Sequence, residues 1–535
     1  VELPLWSLTV GENPEMNQFL YNEAKRILSE YGNHPSFCFL SLGNELQPDF
    51  EFLGGLLDSV KALDSRHLYT TTSFTFEKGH GDWPEPHDDF FITQWTKKGW
   101  VRGQGVFDVE MPNFNKDYSA SVDSMPVPVI THEIGQYAVY PDLKEIEKYT
   151  GVLEPLNFKG VKQELENKNL LEKADDYLSA SGHLAAILYK EEIERAMKTP
   201  GISGFQLLDL HDFPGQGTAL VGLLNAFWES KGVANAEEFR QFSAPVVPLA
   251  RFSKAVYKNN EQFTADIEIA NYSSKEINNK NIKWALTNAS GQPLQEGIIP
   301  LTNIKIGGGN IAGKISCSLS EVKKAERLTL RVSIENSSYK NTWNIWVYPA
   351  TLTIEKEEIV VTDKLTETQK ALAAGKTVLF NPPYQLCAGL QGKFVPVFWS
   401  PVHFPKQAGT MGLLLDPTHK AFAHFPTEGH TNWQWWSLTT QSRTLVIDSI
   451  YQHITPLVEC VDNFANNRRL ATLFETNCLN GKLIVCSMDL LNHQDTFPEK
   501  KQLLYSLINY MKSNAFAPVK SISFEELCSL VKPSS

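Results

Sequence analysis

Short apolar segments alternate with helical patterns from Val1 to about Lys231, and this alternation limits the possible folds more than any other feature. Between the first two apolar segments, Phe19, Ala24 and Leu28 recur at helical spacing, and a second helix is predicted over Gly182–Lys198. The predicted strands are Glu2–Trp6, Phe37–Leu42, Leu68–Thr72, Phe90–Trp95, Val127–Thr131 and Ile202–Leu208. Strands that alternate with helices predict a parallel sheet.

The pattern changes twice further along the chain. Period-two alternation from about Phe252 to Pro349, with Asn, Gly and Ser turns, predicts a β-sandwich. Apolar runs such as "EIVVTD" and "KLIVCSMDL" after Thr351 predict a doubly wound, flavodoxin-like α/β domain. We therefore expect a multidomain protein with a domain built on the parallel sheet over residues 1–242, an immunoglobulin-like sandwich over 243–350 and an α/β domain over 351–535.

Charge and cysteine usage exclude several classes of function. The formal net charge of −12 argues against a nucleic-acid-binding protein, because such proteins need a basic face. No apolar run is long enough to predict a membrane span. The 7 cysteines are scattered, so the sequence predicts neither a disulfide framework nor a zinc site, and we expect no cofactor.

The cellular location and the extent of the chain are only weakly indicated. A periplasmic or secreted location is favoured over the cytoplasm. The segment "VELPLW" reads as the middle of a strand, which indicates a fragment or a processed chain. A homo-oligomer is compatible with the sequence.

Carboxylates follow two of the predicted strands directly. Asn44 and Glu45 follow the strand Phe37–Leu42, and Glu133 ends the run "PVPVITHE". In a (β/α)8 barrel, the C-terminal ends of the strands face the active site. Two carboxyl groups about 5–5.5 Å apart suit retaining glycoside hydrolysis, in which one protonates the leaving oxygen and the other attacks the anomeric carbon. By itself, Glu45 is equally compatible with a carboxylate that stabilises a helix N-terminus.

Four segments resemble signatures of the family 2 glycoside hydrolases. "NHPSFCFLSLGNE" resembles the strand-four signature N-H-P-S-x-x-x-W-S-x-G-N-E, with Leu40 in place of the usual Trp. "ELPLW", "THEIGQY" and "GISGFQLLDLHDF" resemble the segments of strands three, seven and eight. The resemblance covers about residues 1–240. It implies a (β/α)8 TIM barrel of which strands three to eight are present, so that a missing N-terminal piece would have to complete it.

The resemblance also implies roles for individual residues. Glu45 would be the general acid/base, Glu133 the nucleophile, and Asn44 a contact to the sugar 2-hydroxyl. The other predicted substrate-binding residues are Trp95, Trp228, His132 and His211. The implied activity is that of a retaining exo-acting β-glycosidase with a carbohydrate substrate, and a terminal β-galactoside is favoured.

Other interpretations stay open at the level of sequence. A non-catalytic carbohydrate-binding or scaffolding protein would retain the same signature. The last domain resembles the amidotransferase-like domains appended to some sugar hydrolases, in which case Cys387 is the nearest candidate nucleophile. Asp209, His211 and Asp212 either bind sugar hydroxyls or brace the barrel rim, and bracing is favoured for Asp209.

Two further segments have a functional and a structural interpretation. Arg102 and Gln104 either contact substrate or form a salt bridge, and the salt bridge is favoured. Trp433 and Trp435 would share one face of an extended segment and could stack on sugar rings. A cluster of this kind more often belongs to a core or an interface.

Overall fold

The structure is a computed structural model that describes residues 1–6, 8–355, 357–407 and 409–531. No helix within these residues combines the length and the apolar character that crossing a membrane requires.

A parallel sheet occupies the first part of the chain. The strands of this part are β1 (Phe39–Ser41), β2 (Leu68–Thr70), β3 (Phe91–Thr93), β4 (Trp95–Thr96), β5 (Gly99–Trp100), β6 (Val129–Ile134) and β7 (Ile202–Leu207). An edge segment, residues 2–6 and 8–9, is followed side by side and in chain order by β1, β2, β3, β6 and β7, and each neighbouring pair runs parallel. β4 and β5 form a separate antiparallel pair. The parallel sheet predicted from the sequence is therefore confirmed. Among the described residues, no strand pairs with the outer edge of β7 or of the edge segment.

Helices connect these strands. They are α1 (Pro14–Tyr31), α2 (Phe50–Leu63), α3 (Ser119–Val122), α4 (Leu156–Asn167), α5 (Ala174–Lys198) and α6 (Ala236–Phe239), with 3-10 turns at Leu143–Lys148 and Leu171–Lys173. α1 begins after Asn13, whose side chain accepts hydrogen bonds from the amides of Glu15 (2.9 Å) and Met16 (3.2 Å). α5 begins at Ala174, earlier than the predicted Gly182, because residues 174–181 contain no Gly or Pro that would interrupt a helix.

Two sheets form the middle part of the chain. β13, β10 and β8 make one sheet, and β12, β11, β14, β15 and β9 make the other. The strands are β8 (Val246–Arg251), β9 (Val256–Lys258), β10 (Gln262–Asn271), β11 (Ile277–Thr287), β12 (Pro293–Ile304), β13 (Gly307–Ser318), β14 (Glu326–Ile334) and β15 (Lys340–Tyr348). Side chains of both sheets, including Ile267 and Leu330, belong to one buried cluster.

The last part of the chain contains a mixed sheet. Its strands are β16 (Ile359–Thr362), β17 (Thr377–Phe380), β18 (Gly389–Gln391), β19 (Leu413–Leu414), β20 (Arg443–Val446), β21 (Thr455–Cys460), β22 (Leu470–Cys478), β23 (Gly481–Cys486) and β24 (Ser521–Ile522). β16, β17 and β23 are parallel, but β22 lies antiparallel between β23 and β20. This differs from the expected doubly wound parallel sheet, because β22 enters the sheet by a tight hairpin to β23.

Helices α7 (Leu365–Ala373), α8 (Trp436–Thr440), α9 (Pro498–Lys512) and α10 (Phe524–Ser529) accompany this sheet, with 3-10 turns at Tyr384–Leu386, Lys420–Phe422, Trp433–Trp435 and Tyr451–His453. The tryptophan-rich segment is thus helical rather than extended. Trp435 is fully buried, and Trp433 packs against Phe107, Phe114 and Phe394 from two parts of the chain. The core and interface interpretation of this cluster is confirmed.

Candidate active site

The two predicted catalytic glutamates line the same cavity. Glu45 follows β1 and Glu133 lies in β6, and both line a cavity of about 800 Å³ together with Asn44. Both glutamates also have left-handed backbone conformations, with φ of 52° for Glu45 and 51° for Glu133. Residues other than glycine in this region are uncommon and cluster at functional sites. The parallel sheet thus brings together two carboxyl groups that are far apart along the chain.

The surroundings of Glu45 favour its protonated form. Burial raises the pKa of the Glu45 carboxyl, and the negative charge of Glu133 raises it further. A hydrogen bond from Trp6 Nε1 to Glu45 Oε2, 2.9 Å long, acts in the opposite direction because it stabilises the carboxylate. The net result is a pKa above the ordinary value for glutamate, as a general acid requires.

The pKa of the Glu133 carboxyl is also raised above its ordinary value, although charged and polar neighbours oppose the shift. Burial raises the pKa of its carboxyl, whereas the positive charge of Arg102 and the nearby Asn44 amide lower it. Gln94 Nε2 also donates to Glu133 Oε2, at 3.3 Å. Donors and a cation therefore surround Glu133, while the charge that acts on Glu45 is repulsive.

Arg102 is buried close to the site but does not line the cavity. Its side chain is 2% exposed, and its guanidinium donates to Gln136 Oε1 at 2.6 Å and to Gln104 Oε1. These partners are amide oxygens, so the favoured salt bridge is not formed within the described residues. The arginine instead supplies an unpaired positive charge close to Glu133.

His132 is a buried neighbour of the nucleophile candidate. The Gln206 carbonyl oxygen can only accept, so His132 Nδ1 donates the hydrogen bond between them, which is 2.8 Å long. Burial lowers the pKa of His132 to about 4, so its ring is neutral at pH 7 and Nε2 carries a lone pair. The 3.4 Å approach of Nε2 to Glu133 Oε1 is therefore not an ion pair.

The other predicted substrate-binding residues lie outside the lining of this cavity. Trp95 packs edge-on against Phe74, with ring centroids 4.6 Å apart. His211 and Trp228 pack against each other at 4.5 Å, and Trp228 is 63% exposed. The structure therefore unites Asn44, Glu45 and Glu133 in one cavity, with His132 beside Glu133, and it leaves Trp95, Trp228 and His211 outside the lining.

The residues after β7 brace the rim of the sheet. Asp212 is buried and accepts a hydrogen bond of 2.6 Å from the Lys231 ammonium. The backbone oxygen of Asp209 accepts from Tyr189 Oη, also at 2.6 Å. These contacts agree with the bracing role favoured for Asp209 and extend it to Asp212.

Several lining residues were missed by the sequence analysis. Trp6, Gln94 and Gln136 come from strand-end segments of the parallel sheet, and Phe398 and Phe404 come from the last part of the chain. Trp6 had a usable signal, because it ends the segment "ELPLW" in the same way that Asn44 ends its strand. No local pattern indicates that residues near 400 reach this cavity.

Cys387 does not have the properties of an activated nucleophile. Its side chain is fully buried, and burial raises the pKa of its thiol to about 12. Catalytic cysteines have lowered pKa values and partial exposure. The amidotransferase interpretation has no support at this residue.

Comparisons with known proteins cover parts of the chain. Residues 360–532 match the model of a domain of unknown function (DUF8487), and residues 261–349 match that of another domain of unknown function (DUF8488). No curated protein sequence matches the chain.

Solved structures of three glycosidases are similar to the chain at low identity. A β-D-mannosidase from Dictyoglomus thermophilum is 14% identical with a TM-score of 0.44, and the alignment covers 67% of this chain and 44% of that one. An exo-chitosanase from Amycolatopsis orientalis is 13% identical, with a TM-score of 0.38 and coverage of 64% and 40%. A β-glucuronidase from Parabacteroides merdae is 14% identical, with a TM-score of 0.31 and coverage of 67% and 42%. The chain thus spans less than half the length of each of these structures.

Proposed function

We propose that the protein is a retaining β-glycosidase that removes terminal β-linked sugars. The observation that carries this proposal is the pair of glutamates, Glu45 and Glu133, which line one cavity. The positive charge of Arg102 acts on Glu133, whereas the negative charge of Glu133 acts on Glu45. Glycoside hydrolysis by double displacement uses two such carboxyl groups, of which one protonates the leaving oxygen and the other attacks the anomeric carbon.

The proposed reaction has two steps. Glu133 attacks the anomeric carbon while Glu45 protonates the glycosidic oxygen, which breaks that bond and leaves a glycosyl ester on Glu133. Glu45, now a carboxylate, takes a proton from water as the water attacks the same carbon and releases Glu133. Two displacements restore the β configuration. Asn44 lies between the two glutamates in this proposal and contacts the sugar 2-hydroxyl.

The remaining predicted residues take supporting roles. His132 and Trp95 position the site from behind, because their neighbours are protein side chains rather than the cavity. The exposed Trp228 ring packs against His211, which follows the C-terminal end of β7, and in this proposal the pair contacts the outer part of a longer substrate.

We further propose that the edge segment (residues 2–6 and 8–9), β1, β2, β3, β6 and β7 are strands three to eight of a (β/α)8 barrel. The parallel pairing in chain order and the two outer edges without partners among the described strands support this. Two additional strands would close the barrel across those edges. The sandwich and the mixed α/β unit would then follow the catalytic domain at about residues 243 and 351.

The substrate is tested with a panel of aryl β-glycosides. Galactoside is the sugar favoured by the sequence resemblance, and mannoside, glucuronide and glucosaminide correspond to the names of the similar structures. The panel is assayed with the 535-residue chain and with the longest natural form of the protein. We expect turnover of one class of β-glycoside.

Variants of both glutamates test the assignment. Glu45→Gln should lower kcat by about 10²- to 10⁴-fold, the usual contribution of a general acid/base, and Glu133→Gln should abolish turnover. Glu110→Gln is the matched control, because Glu110 is exposed and lies outside the cavity lining. Wild-type turnover in both active-site variants would overturn the proposal. Binding of sugars without any turnover would instead favour the carbohydrate-binding alternative.

A further inference from the structure

A loop from the last part of the chain forms one side of the glutamate cavity. Phe398, Trp399, His403 and Phe404 line it, although they lie far along the chain from both glutamates. We propose that this loop, residues 398–404, is a binding site for the second sugar of the substrate. The inference rests on the proposed function, because an enzyme that removes a terminal sugar has the adjacent sugar as its leaving group.

The loop is attached to the strand segment that follows Glu133. Ala138 donates its amide to the Val397 carbonyl, and the Trp399 amide donates to the Gln136 carbonyl, both at 3.1 Å. Phe398 and Tyr137 form an antiparallel bridge between these two contacts. The position of the loop is therefore fixed relative to the proposed nucleophile by backbone hydrogen bonds.

The loop is also braced internally. Gln407 accepts from the Phe398 amide at 2.7 Å and donates to the Phe398 carbonyl at 2.8 Å. Ser400 Oγ donates to the Gly217 carbonyl at 2.9 Å, and it accepts from the His403 amide at 3.2 Å. A surface held in this way loses little conformational freedom when a ligand binds.

The buried side chain of Trp399 holds the loop in position. Its side chain is 3% exposed, stacks on Phe213 at 5.6 Å and donates from Nε1 to Gln216 Oε1 at 2.8 Å. It also has a left-handed backbone conformation, with φ of 53°. Trp399 is thus a positioning residue, and the surface available to a sugar belongs to its neighbours.

The accessible surface of the loop is aromatic with one polar group. Phe404 is 41% exposed, and the His403 ring meets it edge-on with centroids 4.6 Å apart. On other parts of the lining, Trp6 and Phe76 are 55% and 66% exposed. Apolar ring faces of this kind cover the C–H face of a sugar, while an exposed imidazole can hydrogen-bond a hydroxyl.

The test compares two substrates that differ only in the second sugar. The probes are the β-glycosyl fluoride of the sugar that the panel identifies and the β-1,4-linked disaccharide of the same sugar. Fluoride is too small to reach the loop, so it reports the chemistry alone. The variants are Phe404→Ala and His403→Ala. Val402→Ala is the control, because Val402 is 52% exposed on the same loop but outside the lining.

We expect Phe404→Ala to lower kcat/KM for the disaccharide about fivefold through a higher KM, and to leave the fluoride unchanged. His403→Ala should have a smaller effect in the same direction, and Val402→Ala none. Equal losses on both probes, or no loss on either, would overturn the inference.

If the wild-type protein hydrolyses no glycosyl fluoride, the proposed function fails instead. Calorimetric titration with the β-1,4-linked disaccharides of the sugars in the panel then decides: weaker binding by Phe404→Ala than by Val402→Ala supports the loop site, and unchanged binding contradicts it.

Discussion

At the scale of single residues, the site depends on side chains held in an uncommon backbone conformation. Glu45 and Glu133 both have φ near +50°, which costs about 1–3 kcal/mol each for a residue with a Cβ. Backbone pairing with the surrounding strands offsets this cost, for example through the parallel bridges of Asn44 to Trp6 and to Ser73. This strain directs both carboxyl groups toward one cavity.

The Trp6 hydrogen bond sets the working pH range of Glu45. In Trp6→Phe, the carboxylate loses the donor that lowers its pKa, so we expect the pKa to rise. Glu45 acts in its protonated form, and a higher pKa keeps it protonated to higher pH. The alkaline limb of the kcat/KM profile should therefore move to higher pH. Trp100→Phe, which removes an indole outside the lining, should leave the profile unchanged, and a shift to lower pH in Trp6→Phe would refute this account.

The sequence located the glutamates but not their supporting residues. Glu45 and Glu133 follow apolar strands, and that placement is visible in the order of residues alone. Gln94 and Arg102 act on Glu133 through side-chain directions that depend on how neighbouring strands pack. No local sequence pattern encodes those directions. The roles of Gln94 and Arg102 beside Glu133 therefore could not be predicted from the sequence.

At the scale of elements, helix α5 connects the parallel sheet to the middle part of the chain. Glu194 is fully buried on this helix and accepts hydrogen bonds of 2.8 Å from Asn341 and from the Trp343 indole, both on β15. Lys190 pairs with it, and Lys198 lies 3.8 Å away. One carboxylate thus faces a half-buried and a fully buried ammonium group, and it accepts hydrogen bonds from two donors on β15.

Removal of Glu194 should destabilise the protein strongly. Glu194→Ala leaves the buried Lys198 and the half-buried Lys190 without this counter-charge, and we expect the free energy of unfolding to fall by about 3–5 kcal/mol. Glu237→Ala is the control, because Glu237 pairs with Lys340 at the exposed end of the same strand. Chemical denaturation should show little change for the control. Equal effects of the two substitutions would contradict the role given to Glu194.

Helices and strands could be predicted where residues that end secondary structure, such as Gly and Pro, lie on both sides of a periodic pattern. The strands of the parallel sheet and α1 met this condition, since Asn13, Pro14 and Gly32 delimit the helix. The antiparallel β22 did not, because a strand buried on both faces carries no sign of its direction. Strand direction is decided by the connection, here a hairpin between Cys478 and Gly481.

At the scale of the whole molecule, the last part of the chain is joined to the first near the proposed site. Asp108 accepts hydrogen bonds from the amides of Phe394 and Val395, and Trp436 Nε1 donates 2.7 Å to the Phe107 carbonyl. These contacts place the loop 398–404 beside the cavity. Contacts between residues so distant in the chain leave no local signal, so the sequence predicted separate units without their joint cavity.

Covalent trapping tests the central claim most directly. The wild-type protein is incubated with the 2-deoxy-2-fluoro-β-glycosyl fluoride of the preferred sugar, and the labelled peptide is identified by mass spectrometry. The fluorine at C2 slows both displacements, but the anomeric fluoride is a good leaving group and keeps the first step fast enough for the glycosyl ester to accumulate. We predict that the label resides on Glu133 and that Glu133→Gln takes up none. A label on Glu45, or hydrolysis that proceeds with inversion and forms no adduct, would contradict the account.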